Sequence, residues 1–108
     1  MKIKHNEPEL DHVIKVLNAY FKGKGFTRNN MYKMSDLIEH FLLHYDKEDI
    51  ENERFLAPFV IEENCNKTLQ LFHQEDIYIE MKFTTIVEMG FQVIEEIKSL
   101  HVLKSDSQ

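Results

Sequence analysis

Two histidines four residues apart are the strongest candidates for chemistry in the sequence. If the segment is helical, His40 and His44 project from the same face, because side chains at i and i+4 align. Asp36 and Glu48 extend this line by one turn in each direction, and imidazoles with carboxylates can bind a metal ion. The sequence has no HExxH motif and no second HxxxH pair. A metal-binding helical protein centred on His40 and His44 is therefore an alternative hypothesis, and we expect no metal and no cofactor.

Nucleophilic catalysis has little support in the sequence. Cys65 is the single cysteine, and on a helix His73 would lie on another face, so we expect a small buried side chain there. None of the serines occurs in a Gly-x-Ser-x-Gly context. We therefore predict a non-enzymatic protein without catalytic residues.

Residues 22–33 combine two glycines, an aromatic side chain and a group of cations between two predicted helices. The cations are Lys22, Lys24, Arg28 and Lys33. They could contact phosphate groups, which makes a nucleic-acid-binding regulatory module using this loop a second alternative. A net charge of −6 opposes it, because an acidic protein repels nucleic acid at long range. We therefore do not expect nucleic acid to be the main partner.

Five acidic residues occur within eight positions after the second predicted helix. They are Asp46, Glu48, Asp49, Glu51 and Glu53. Such a run could occupy a basic groove on another protein, with charge complementarity controlling association rate and partner choice. We predict a protein-binding regulator or inhibitor, an accessory or immunity-type protein of bacteria or phages, that acts through this acidic helical face. The expected partner is a protein with a basic surface, and a homo-oligomer is compatible with the sequence.

The spacing of apolar residues predicts an all-α fold, a bundle of four or five helices. A first helix is predicted over residues 7–22, and a second from a cap at Asn29 or Asn30 to Tyr45. The acidic residues suit the N-terminus of a third helix over residues 46–56. The apolar stripe of the first helix consists of Leu10, Val13, Ile14, Leu17 and Phe21.

The second half of the chain is compatible with both helix and strand. The helical wheel favours a helix over residues 59–73, although Asn64 and Cys65 would also suit a hairpin turn. Residues 86–101 are predicted to be helical because apolar positions recur at spacings of four and three. These positions are Ile79, Phe83, Ile86, Gly90, Val93, Ile97 and Leu100. The alternative fold is α+β, with a small antiparallel sheet from residues 59–83.

The length of 108 residues is typical of one domain, which we place at residues 1–103, with a frayed tail at 104–108. No apolar run approaches the length of a membrane-spanning helix, and no secretory signal follows the N-terminal lysines. The single cysteine is unlike the pattern of small secreted domains, which usually contain several disulfides. We expect a soluble cytoplasmic protein.

Reversing four acids of the run, with Glu48→Lys, Asp49→Lys, Glu51→Lys and Glu53→Lys, tests the acidic surface. We expect this variant to lose capture of a protein partner from lysate, because the charge complementarity is inverted. Circular dichroism should show an unchanged helix content. Undiminished capture would exclude the acidic run as the binding surface.

Overall fold

The computed structural model describes residues 7–45, 57–73 and 75–103. The elements in chain order are α1 (Glu7–Phe21), α2 (Arg28–Tyr45), β1 (Phe59–Glu63), β2 (Asn66–His73), β3 (Asp76–Glu88) and β4 (Phe91–Val102). The four strands form an antiparallel sheet in the order β1-β2-β3-β4. The fold is therefore α+β, a helix pair followed by a four-stranded meander.

The two helices confirm the predictions made from apolar spacing, with one difference at the start of α2. The N-cap is Thr27 rather than Asn29 or Asn30, because its Oγ1 accepts a hydrogen bond of 3.1 Å from the backbone N–H of Asn30. The side chain of Asn30 instead donates to the carbonyl oxygen of Gly25 at 2.8 Å. This contact holds the interhelical loop against the first turn of α2.

The prediction of an all-α helical bundle is wrong. Residues 59–73 form β1 and β2, joined by a tight turn in which Asn64 has a φ of 60° and Glu63 pairs with Asn66. Asparagine tolerates this left-handed conformation, which allows a short turn where a helix was expected. The α+β alternative gives the correct class, but the sheet continues to Val102 instead of ending at residue 83. The helix predicted over residues 46–56 lies outside the described residues.

Residues 86–101 are strand and turn rather than helix, and β-bulges explain the misleading spacing. The register between β3 and β4 shifts twice, so that Lys98 and Glu95 have no opposite residue. Each bulge inserts one residue into the alternation of a strand. As a result, the inward positions of β4 recur three residues apart, at Ile94, Ile97 and Leu100. A period of three resembles the period of a helix.

One apolar core joins both helices to one face of the sheet. The helices contribute Leu10, Val13, Leu17, Phe21, Met31, Met34 and Ile38, and the strands contribute Leu69, Leu71, Tyr78, Ile79, Met81, Phe83, Ile94, Ile97, Leu100 and Val102. Burial of each such side chain stabilises the fold by about 1.5–3 kcal/mol before conformational entropy is subtracted.

The outer edge of β4 is covered by the helix pair through hydrogen bonds. The side chain of Asn18 in α1 accepts from the N–H of Ile97 at 2.8 Å and donates to its carbonyl oxygen at 3.1 Å. The interhelical loop pairs with β4 as a short strand would, and its bonds are Gly23 N to Ile94 O at 2.7 Å, Ile94 N to Lys24 O at 2.8 Å and Phe26 N to Gln92 O at 3.0 Å. Covering an edge in this way prevents pairing with another strand.

Replacing Asn18 by alanine tests this attachment. Asn18→Ala leaves the half-buried N–H and C=O of Ile97 without partners, so we expect the free energy of unfolding to fall by about 1–3 kcal/mol. Urea denaturation followed by circular dichroism measures the change. Asn29→Ala on the exposed side of α2 is the control, with an expected change below about 0.5 kcal/mol. Equal losses in both variants would contradict the role of Asn18.

Candidate functional site

The structure gives no site geometry for the predicted acidic run or for the predicted histidine pair. The acidic run, residues 46–53, lies outside the described residues, as does the side chain of His44. His40 is exposed on α2, where its ring packs edge-on against Phe41 at a centroid distance of 5.9 Å. In the described part of the chain, no group of three or more His, Cys, Asp or Glu side chains is arranged to hold a metal ion.

The prediction of a buried Cys65 is wrong, because this residue is exposed in the turn between β1 and β2. His73 is the last residue of β2, and eight strand positions separate it from this turn. A strand of that length spans about 25 Å. The two residues therefore do not form a nucleophile and base pair.

The predicted basic loop is split between two places. Lys22 and Lys24 are exposed in the interhelical loop, which runs along the edge of β4. Arg28 begins α2 and lines a groove that is shared with β1, while Lys33 is exposed farther along α2. The four cations therefore lie in two different elements, two in the interhelical loop and two in α2.

The hairpin formed by β3 and β4 extends beyond the rest of the sheet. The last contact of β3 with the β1–β2 turn is the hydrogen bond from Thr85 N to Cys65 O, at 2.9 Å. Residues 86–93, here called the arm, continue as a two-stranded ribbon for three further residue pairs, or about 10 Å. Sequence analysis missed the arm, because Gly90 was placed within a predicted helix rather than in a turn.

The arm carries large apolar side chains that are open to solvent. Met89 is 96% exposed, Phe91 73% and Val87 69%, and Ile86 is also exposed. The other exposed aromatic of the sheet, Phe59, is on β1 at the opposite edge. Phe26 is partly buried against the core, and Phe55 lies outside the described residues. Of the eight large apolar or aromatic side chains that are exposed in the described residues, four lie on the arm, including the three most exposed; the others are Tyr20, Tyr32, Phe59 and Ile61.

The turn at the end of the arm uses an unfavourable residue. Met89 and Gly90 have φ values of 53° and 85°, the combination of a type I′ hairpin turn. Glycine, asparagine and aspartate are preferred at both positions, and a left-handed conformation costs other residues about 1–2 kcal/mol. Because Met89 is almost fully exposed, burial within this chain does not offset that cost.

A groove of about 580 Å³ lies between the first turn of α2 and strand β1. Its lining combines apolar and polar surface, and consists of Phe26, Thr27, Arg28, Met31, Tyr32, Ala57, Pro58, Val60 and Glu62. The groove is open to solvent and large enough to receive side chains of another molecule.

A buried lysine sets the charge at one end of the groove. The side chain of Lys67 is 2% exposed, and its Nζ lies 3.2 Å from Glu62 Oε1 and 5.0 Å from the centre of the Phe26 ring. The same Nζ donates to the carbonyl oxygen of Asn64 in the β1–β2 turn. These contacts neutralise Glu62, which leaves Arg28 as the charged group in the groove lining that has no ionic partner among the described residues.

Comparison with protein-family models, with curated proteins and with solved structures finds no match for the chain. Neither of the described helices has the length and apolar character needed to cross a membrane.

Substitution of Lys67 separates the packing of its stem from the bonds of its ammonium group. We expect Lys67→Met to change the free energy of unfolding by less than about 1 kcal/mol, because methionine fills the volume of the lysine stem and the charge left behind on Glu62 is 55% exposed to water. Lys67→Ala removes the buried stem as well, and we expect a loss of about 2 kcal/mol or more. Thermal and urea unfolding measure both variants. Equal losses would show that the ammonium bonds, rather than the stem, stabilise this region.

Proposed function

We propose that this chain is a non-enzymatic protein-binding regulator and that the arm, residues 86–93, is its main described binding surface. The observation that carries the proposal is the exposure of Val87, Met89 and Phe91 on a ribbon that extends beyond the core. The pairing of β3 with β4 places Phe91 and Ile86 on one face of the ribbon and Val87 on the other, so both faces have exposed apolar side chains. Exposed apolar side chains grouped on one segment of a small domain mark interaction sites more often than scattered single residues do.

The physical properties of the arm support binding to a protein. A two-stranded ribbon is only marginally stable in water and is stabilised by contact with further surface. Met89 has a flexible, polarisable side chain that adapts to irregular apolar pockets, and Phe91 supplies a rigid aromatic group. The unfavourable φ of Met89 fits this view, because the side chain at the tip would gain contacts only in a complex.

The charge of the arm disfavours nucleic acid as its ligand. Residues 85–94 contain Glu88 but no lysine or arginine, so the arm has no group that could neutralise phosphate. Lys22 and Lys24 lie beside the base of the arm, and nucleic-acid binding through that loop remains an alternative prediction.

The acidic run and the cellular location remain proposals that rest on the sequence. Residues 46–53 would provide a second, electrostatic contact with a basic protein surface and so determine partner choice. We place the protein in the cytoplasm because it has one cysteine and no disulfide framework.

Changing the tip residue tests the proposed surface with a conservative variant. Met89→Asn suits the left-handed turn better, so we expect stability to be unchanged or to rise by up to about 1 kcal/mol. We also expect it to weaken partner binding at least about ten-fold, because the apolar anchor is removed. A photo-crosslinking amino acid at position 91, in cells that naturally contain the protein, reports binding as a discrete adduct that Met89→Asn suppresses.

The control places the crosslinker at position 20, where an aromatic side chain is 59% exposed on α1 outside the groove lining. We expect no discrete adduct from this position. The same adducts from positions 20 and 91, or adducts from position 91 that persist in Met89→Asn, would overturn the arm as the binding surface.

A further inference from the structure

We infer that the arm binds the groove between α2 and β1 of a second copy of this chain, and that the protein is a dimer with reciprocal contacts. This inference rests on the proposed function, because it names the partner of the arm.

The arm has apolar side chains to bury, and the groove has room for them. The tip presents Met89 and Phe91, whose side chains have no other cover within the described residues. The groove has a volume of about 580 Å³, enough for more than one side chain, and its lining includes Tyr32 and Val60 beside polar groups. Insertion would remove Met89, Phe91 and the apolar part of the lining from water, which is favourable for association.

The charges of the two surfaces are opposite. Arg28 lines the groove and Glu88 precedes the tip, and neither forms an ion pair or a hydrogen bond in the described part of the chain. The other charged group of the groove, Glu62, is already bound to Lys67. The groove therefore offers one positive charge at a site that would receive one negative charge from the arm.

The positions of the two surfaces suit a two-fold arrangement. Glu62 and Lys67 flank the β1–β2 turn, and that turn contacts Thr85 at the point where the arm begins. The Glu62 end of the groove and the base of the arm thus lie at the same end of the sheet, but the groove is beside β1 and the arm continues β3 and β4. Met89 at the tip is 96% exposed, so the tip does not occupy the groove of its own chain. Two copies placed end to end would make the same contact twice, which doubles the buried area as in an isologous dimer.

Charge exchange provides the test, with the full chain studied by sedimentation equilibrium over a range of concentrations. We expect the unaltered chain to be a dimer. Glu88→Arg and Arg28→Glu alone should each raise the dimer dissociation constant at least about ten-fold, because each places like charges together. The double variant carrying both substitutions should restore it to within about three-fold of the original value, because the ion pair forms again in the opposite sense.

Two controls keep the result independent of folding and of net charge. An acid in the first turn of α2 is favourable for a helix, so Arg28→Glu should unfold at the same urea concentration as the original chain. Lys33→Glu changes the net charge by the same amount on an exposed part of α2 outside the groove lining, and should leave dimerisation unchanged.

A chain that is monomeric at every concentration, a dimer that tolerates both single reversals, or a double variant that is not rescued would overturn the inference. A monomer that still gives an arm-dependent adduct with a different protein would retain the proposed function alone. Arm-dependent sedimentation with phosphatidylglycerol vesicles by a monomeric chain would overturn both, because the arm would then be a membrane contact.

Discussion

The hydrogen bonds between the helix pair and the edge of β4 are the constraint on which the rest of the structure depends. Asn18 satisfies both backbone groups of Ile97, and the interhelical loop pairs with Gln92 and Ile94. Packing alone is not directional, whereas these bonds fix where along β4 the helices lie. They also determine how far along β4 the interhelical loop shields the hairpin from solvent. Beyond Gln92 the two strands pair only with each other within the described residues, and this is why an apolar arm is exposed.

The buried end of the hairpin and the groove have a residue in common, Phe26. Phe26, which follows the loop bound to β4, packs against Phe83 at a centroid distance of 6.0 Å and also lines the groove. Lys67 stacks over the same ring and holds Glu62 in an ion pair. The attachment of the loop to β4 therefore positions the first turn of α2, and with it Arg28, in the lining of the groove.

The helices could be predicted from the sequence, and a hairpin at Asn64 was an open alternative, but the extent of the sheet could not be predicted. The stripe from Leu10 to Phe21 follows the period of a straight helix, which no strand of regular alternation reproduces. In β4, two bulges convert the period of two into a period of three, and this local irregularity is decided by pairing with β3. The arm was missed for the same reason, since Gly90 fitted the apparent helical spacing. A glycine in such a spacing is itself a signal for a turn.

The choice of site residues from the sequence depended on which side chains are exposed in the folded protein. The spacing of residues does not reveal this exposure. Cys65 is exposed because a turn, rather than a helix, contains it. Met89 and Phe91 resemble core residues in the sequence, and only the length of the hairpin beyond Thr85 places them in solvent. Charge patterns drew attention to residues 46–53, whereas the arm that we propose as the binding surface is apolar.

Amide hydrogen exchange measured by NMR spectroscopy tests most directly whether the arm depends on contact from outside its own domain. At low protein concentration, the amides of Ile94 and Ile97 should exchange slowly, and those of residues 87–91 should exchange rapidly. Raising the concentration should slow exchange in the arm by at least about ten-fold and leave Ile94 and Ile97 unchanged, because only the arm gains cover on association. Arm amides that are already as protected as Ile97 in dilute solution would contradict the account, as would arm amides that stay unprotected at all concentrations.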